Sequence, residues 1–223
     1  MASLSNEQIG CTTDPSFIAL ACSWVRDPSK QFLGFVWQAY DNMKEAPPPI
    51  DCRDLERSIS QLLEPRIKQT MTGYEPFYVQ HGSFERETMK PPPAQPPEYD
   101  LAFVLRADER IMWPLEAKVL ETPNQVAKYE REIKNEFLTC RYAPFSNSGA
   151  MLGYLLTGSP SDTLNQIEKK LATTLKQSDV FPDRPHQISS HTREVPANKD
   201  YPKNFQCHHL ILEYRGLKRA SKS

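Results

Sequence analysis

The chain has 223 residues, of which 39% are hydrophobic and 25% charged, so it is long enough for one sizeable core and too ordinary in composition to be disordered. Lys and Arg number 27 against 28 Asp and Glu, a formal net charge of -1, which excludes a broadly basic, histone-like mode of nucleic-acid binding but not a local basic patch. No run approaches the ~18 apolar residues of a membrane span. Residues 1–16 have neither the basic start nor the apolar stretch of a secretory signal, so the chain reads as cytoplasmic, with no membrane partner. Cys11, Cys22, Cys52, Cys140 and Cys207 stand singly, without a C-x-x-C pair, which argues against a disulfide framework and a structural zinc site.

Proline is frequent, 20 against 8 glycines, and clusters at 47–49 and 91–97. The expected division is a helical extension over 1–46, a core over 52–217 and a basic tail over 218–223. In the extension, Phe17, Leu20 and Trp24, then Phe32, Phe35, Val36 and Tyr40, suit two short amphipathic helices separated by Asp27-Pro28-Ser29. Their aromatic residues Trp24, Phe32, Phe35 and Trp37 offer a docking face for a partner. From 52 to 68, Leu55, Ile59, Leu62, Leu63 and Ile67 recur near the helical period, and Asp51 is placed to cap the start. A short strand is predicted over 76–80, and two longer ones over 99–105 and 111–120, joined around Asp108. Thr122-Pro123 opens a helix through about Cys140, with Val126, Tyr129, Ile133 and Phe137 on one face. A buried strand over 149–158, a helix over 161–177 and two strands over 186–195 and 205–215 complete a mixed α/β pattern.

The hairpin carries the chemistry. If it is centred on Asp108, paired residues sum to 216, so Phe103 faces Trp113 and Asp100 falls opposite Glu116. Side chains alternate along a strand, so Lys118 projects to the same face as Glu116. Two facing carboxylates repel by up to ~1 kcal/mol, and a divalent cation turns that repulsion into a binding site. The lysine ammonium beside them is suited to holding a water near a phosphorus. Glu132-Ile133-Lys134 and Glu168-Lys169-Lys170 repeat the E-x-K spacing on predicted helices. There a two-residue step turns the side chains roughly 200° apart, so neither builds a common site. The plainer alternative is a solvated surface hairpin, which the apolar run around Glu116 and Lys118 disfavours.

An aspartate, a hairpin turn and Glu116-Ala117-Lys118 on a strand resemble the active-site signature of the PD-(D/E)XK nuclease superfamily. The family's proline before the aspartate is replaced by Tyr99, with Pro96 and Pro97 just upstream. The resemblance implies a restriction-endonuclease-like core, a mixed central sheet flanked by helices, and Mg²⁺-dependent phosphodiester hydrolysis with Mn²⁺ as a substitute. It also implies DNA as substrate, in settings such as bacterial restriction or anti-phage defence. Asp100 and Glu116 would hold the metal with the Ala117 carbonyl, and Lys118 would orient the attacking water. Glu56, in E-R-S-I-S-Q-L-L, is similar to the glutamate that the helix before the sheet contributes in many members, with Glu64 and Glu85 as rivals. Gln125 and Tyr129 match the residue types of the Q-x-x-x-Y motif of the RecB-like branch and are candidate DNA contacts, as is Lys128 on the same helix.

Among the remaining features, His208 and His209 point to opposite faces of their strand, so a structural role is the expectation. Ser190-His191-Thr192-Arg193 is a weaker candidate for a phosphate or partner contact. The chain has neither a G-x-x-x-x-G-K-[ST] nor a G-x-G-x-x-G loop, so any ATP-driven step falls to a separate ATPase. Near-neutral charge leaves room for such a partner, or for a second copy of the chain.

Overall fold

The computed structural model describes residues 28–45, 54–88 and 96–215. The first predicted helix with Phe17, Leu20 and Trp24, the prolines at 47–49 and 91–93, Asp51 and the basic tail lie outside these residues.

Helix α1 (Ser29–Glu45) turns Phe32, Leu33, Val36, Trp37, Tyr40 and Met43 to one side, and all are buried. Helix α2 (Leu55–Thr70) buries Leu55, Ile59, Leu63 and Ile67, one residue per turn. Its cap is Asp54, whose side chain accepts from the Arg57 amide at 3.3 Å, rather than the expected Asp51.

Both helices cover one face of a seven-stranded sheet made of β1 (Phe77–Phe84), β2 (Glu98–Leu105), β3 (Met112–Leu120), β4 (Ser148–Leu155), β5 (Lys176–Gln177), β6 (His186–Thr192) and β7 (Asn204–Glu213). The strand order is β1-β2-β3-β4-β7-β6-β5. The central β3, β4 and β7 run parallel, and every pairing outside them is antiparallel. Alternation along the strands sends Leu101, Phe103, Trp113, Leu115 and Leu152 to the α1/α2 face. Ala102, Val104, Met112, Leu120 and Met151 go to the other face, covered by α3 (Pro123–Glu132) and α4 (Pro160–Leu171). The fold is therefore mixed α/β, with helices on both faces of a mixed sheet. No helix among the described residues is long and apolar enough to cross a membrane.

Several expectations need correction. Helix α1 is part of the core, not an appendage: Phe32 stacks on Phe103 with centroids 4.2 Å apart, so Phe32 and Trp37 are unavailable to a partner. The helix expected to reach Gln177 stops at Leu171, because Ala172 adopts a left-handed conformation with φ 50° and Lys176–Gln177 pairs with β6. Helix α3 gives way to a π-helical turn, Ile133–Phe137, before reaching Cys140. Arg193 is buried and spends its guanidinium on the carbonyls of Phe137, Tyr142, Ala143 and Ser146 at 2.7–3.0 Å, which fixes the loop after that turn and commits this side chain to the fold rather than to a phosphate contact. His208 and His209 do face opposite ways. His208 meets His186 at 3.0 Å, while His209 bridges Tyr129 and Ser189 at 3.0 and 2.8 Å.

Candidate active site

The β2–β3 register is the predicted one: Phe103 pairs with Trp113 and Leu101 with Leu115. Just beyond that pair, Asp100 Oδ2 accepts the amide of Ala117 at 2.8 Å. The opposite strand bends at the same level. Gly82, between the pairs His81↔Leu101 and Ser83↔Tyr99, has a φ of 67°, which an L side chain rarely adopts. One residue further along β3, the Val119 amide donates to Glu56 Oε2 at 3.0 Å. Two carboxylates from different elements thus take consecutive outward-facing amides of β3, and the residue between those amides is Lys118.

Lys118 reaches back into this notch. Its ammonium donates to the Ala117 carbonyl at 2.7 Å, to Glu116 Oε1 at 2.9 Å and to Glu56 Oε1 at 3.2 Å. Glu132 Oε1 lies 3.6 Å away and Asp100 Oδ2 4.0 Å away. Four carboxylates, drawn from α2, β2, β3 and α3, therefore surround one ammonium. Glu116 is only 5% exposed, and its Oε2 has no hydrogen-bond partner among the described residues. Burial, reinforced by the Asp100 charge, pushes the Glu116 carboxyl well above the usual carboxylate range, against the pull of Lys118. Burial also raises Glu56. For Lys118, burial works to lower the pKa, but Glu116, Glu56, Asp100 and Glu132 together drive it up and hold the ammonium charged. On the Asp100 side, a cavity of about 280 Å³ lined by Asp54, Glu56, Arg57, His81, Glu98, Tyr99 and Asp100 opens the notch outward.

Of the three rival glutamates, Glu56 is the one brought to Lys118. Glu64 pairs with Lys68 at 2.6 Å on the surface of α2. Glu85 is buried against Tyr99, whose hydroxyl donates to it. Helix α3 carries the candidate DNA contacts, and Tyr129 takes the core position that its apolar helix face also suited. Gln125 Oε1 accepts the amides of Glu121 and Thr122, both at 2.7 Å, and so closes the start of the helix. Tyr129 is fully buried with its hydroxyl on His209, out of reach of any ligand. Lys128 stays exposed on the same helix.

Sequence reasoning missed Glu132, which it set aside as half of a chance E-x-K. That dismissal holds for a site shared between Glu132 and Lys134, and Lys134 in fact pairs with Glu130 at 2.6 Å. What it overlooked is that Glu132 lies three residues after the buried Tyr129, on the helix flank that reaches β3.

No family model, no curated protein and no solved structure matches the chain. Among the described residues, no three His, Cys, Asp or Glu side chains stand ready as a metal-ligand set. The geometry supplies a reason: the Lys118 ammonium fills the space on which the carboxylates converge. The donors are nonetheless those of a hard divalent cation, all oxygen, and the bare buried Glu116 Oε2 is an oxygen that such a cation would satisfy. The residues fit Mg²⁺ or Mn²⁺.

Proposed function

We propose that the chain is a Mg²⁺-dependent nuclease that hydrolyses DNA phosphodiester bonds, with Mn²⁺ able to substitute, built on a restriction-endonuclease-like core. The observation that carries this reading is the convergence of Asp100, Glu116 and Glu56 on Lys118, with one oxygen of the buried Glu116 left bare. A solvated surface hairpin gains nothing from burying a glutamate in that state, because desolvating an unsatisfied carboxylate oxygen is costly.

Asp100, Glu116 and the Ala117 carbonyl, with Glu56, would hold the cation. When bound, it supplies a Lewis acid at the phosphate and a water of lowered pKa. The chain's own residues do the rest. Asp100 and Glu56 each keep one oxygen on a β3 amide, so both carboxylates are held in place before substrate arrives. Lys118 points a compact charge at the notch, where it orients the attacking water and offsets the charge that develops on the phosphate. An arginine fork would not fit the same space. Lys128 and Arg131 on α3 are exposed and supply phosphate contacts along the DNA. With few cations near the site, a second copy or a separate ATPase completes the DNA contact.

The test is incubation of purified protein with supercoiled plasmid, linear duplex and single-stranded DNA in Mg²⁺ or Mn²⁺, with EDTA as control. Metal-dependent cleavage of any of these supports the reading. A folded protein that cuts none of them points instead to a nuclease-fold subunit that binds DNA or a protein without cutting.

A further inference from the structure

The ammonium of Lys118 has three protons, and the Ala117 carbonyl, Glu116 Oε1 and Glu56 Oε1 take all three. Glu132 stands apart from that set. At 3.6 Å it is too far for a hydrogen bond yet close enough for its charge to act on Lys118 and on Glu116. It comes from the opposite face of the sheet to Glu56, and it is the last α-helical residue before the backbone widens into the π-helical turn. Such turns inside helices are frequent at functional sites.

The groups that hold Lys118, namely the Glu116 carboxylate, the Ala117 carbonyl and Glu56, are also assigned to a cation under the proposed function, on which this inference rests. A cation on the Glu116 carboxylate and the Ala117 carbonyl competes with Lys118 for both groups and sets a double positive charge beside it. Glu56 already gives Oε2 to the Val119 amide, so it has limited freedom to follow. Glu132 has a carboxylate facing the ammonium and needs to close less than an ångström to bond it.

We propose that Glu132 is a positioning residue: it receives the Lys118 ammonium when a divalent cation takes Asp100, Glu116 and the Ala117 carbonyl, and holds it beside the reacting phosphate. Lys118 is thus an internal stand-in for the cation, and Glu132 sets how readily it yields. Without Glu132, the ammonium stays where the cation must go.

The test uses Mn²⁺ alone as probe, with isothermal titration calorimetry on the folded full-length chain and on Glu132→Gln, Lys118→Met and the double variant. Glu132→Gln is expected to weaken Mn²⁺ binding by about tenfold or more, the scale on which residues that orient metal ligands act. In the Lys118→Met background, which lacks the competing ammonium, the same change is expected to have little effect. A double variant as weak as Glu132→Gln would make Glu132 a direct metal ligand and overturn the inference. Equal affinity of wild type and Glu132→Gln would overturn it as well. A wild-type chain that binds no Mn²⁺ would overturn the proposed function together with this inference, so the two failures are distinguishable. Glu132→Asp, which keeps the charge, is expected to recover part of the affinity, and circular dichroism verifies that each variant is folded.

Discussion

At the level of single residues, burying an ionisable group has a consequence that can be measured. Glu85 has the most directly measurable one. It is 1% exposed, accepting from the Tyr99 hydroxyl and from the Glu87 amide at 2.8 Å. Burial raises its pKa from 4.5 to about 7, against the lowering effect of those hydrogen bonds. Between these values the unfolded chain releases the proton while the folded chain keeps it, so this residue's contribution to stability is complete below pH 4.5 and is lost as the pH rises to about 7. The loss amounts to about 3 kcal/mol. Urea unfolding of wild type and Glu85→Gln at pH 4.5 and pH 7 should show the wild type losing stability relative to the variant as the pH rises. A stability difference that is the same at both pH values would show that Glu85 titrates normally.

Arg193 yields a second expectation at this scale. Its guanidinium, 2% exposed, satisfies four carbonyls of the loop that follows the π-helical turn. Arg193→Met removes this shared donor, leaving the Phe137 and Ala143 carbonyls only their bonds from the Cys140 and Ser146 amides, and is expected to cost about 3 kcal/mol or more, read from the urea midpoint. A midpoint within error of wild type would show the loop to be held by other contacts.

At the level of elements, the hairpin was the most legible part of the sequence. Asp108 sets its centre, and the alternation of Leu101, Phe103, Trp113 and Leu115 fixes which side chains share a face, because a one-residue slip would turn that whole set outward. Helix α1 was less legible. Its apolar spacing was read correctly, but spacing cannot tell a face that meets the sheet from one that meets a partner. The early stop of α4 at Ala172 carries no glycine or proline to announce it. Glycines in two elements separate packing from propensity. A Cβ on Gly153 in β4 would lie 2.6 Å from Leu120 Cδ1 and 2.8 Å from Ile211 Cδ1, so Gly153→Ala is expected to cost about 1–3 kcal/mol. Gly34 in α1 meets nothing within 4 Å, so Gly34→Ala is expected to be neutral or to stabilise by up to ~1 kcal/mol. Thermal unfolding should order the three chains as Gly34→Ala, wild type, Gly153→Ala, from most to least stable. The reverse order would contradict the packing described for β4.

At the level of the whole molecule, the sheet gathers residues from four distant segments into one notch: Glu56, Asp100, the Glu116–Lys118 stretch and Glu132. Three of the four were legible. Asp100, Glu116 and Lys118 share one hairpin, where strand periodicity dictates their relation, and Glu56 followed from a helix pattern similar to that of a known family. Glu132 was not legible, because its approach to Lys118 depends on how α3 crosses the sheet, and no spacing within the helix encodes that. A motif match such as Gln125 and Tyr129 gives residue types but not whether the groups are already used, here by a helix cap and a buried histidine. The notch pairs a charged lysine with more carboxylate than one ammonium can satisfy. That imbalance is what the proposed cation resolves.

Cleavage of supercoiled plasmid in Mg²⁺ by wild type and Glu116→Gln, both verified as folded, tests the central claim most directly. Wild type is expected to cut and the variant to lose at least ~100-fold in rate, since it removes a carboxylate ligand of the proposed cation. Equal rates in the two proteins, or wild-type cutting that persists in EDTA, would contradict the assignment of this notch as a metal-dependent nuclease site.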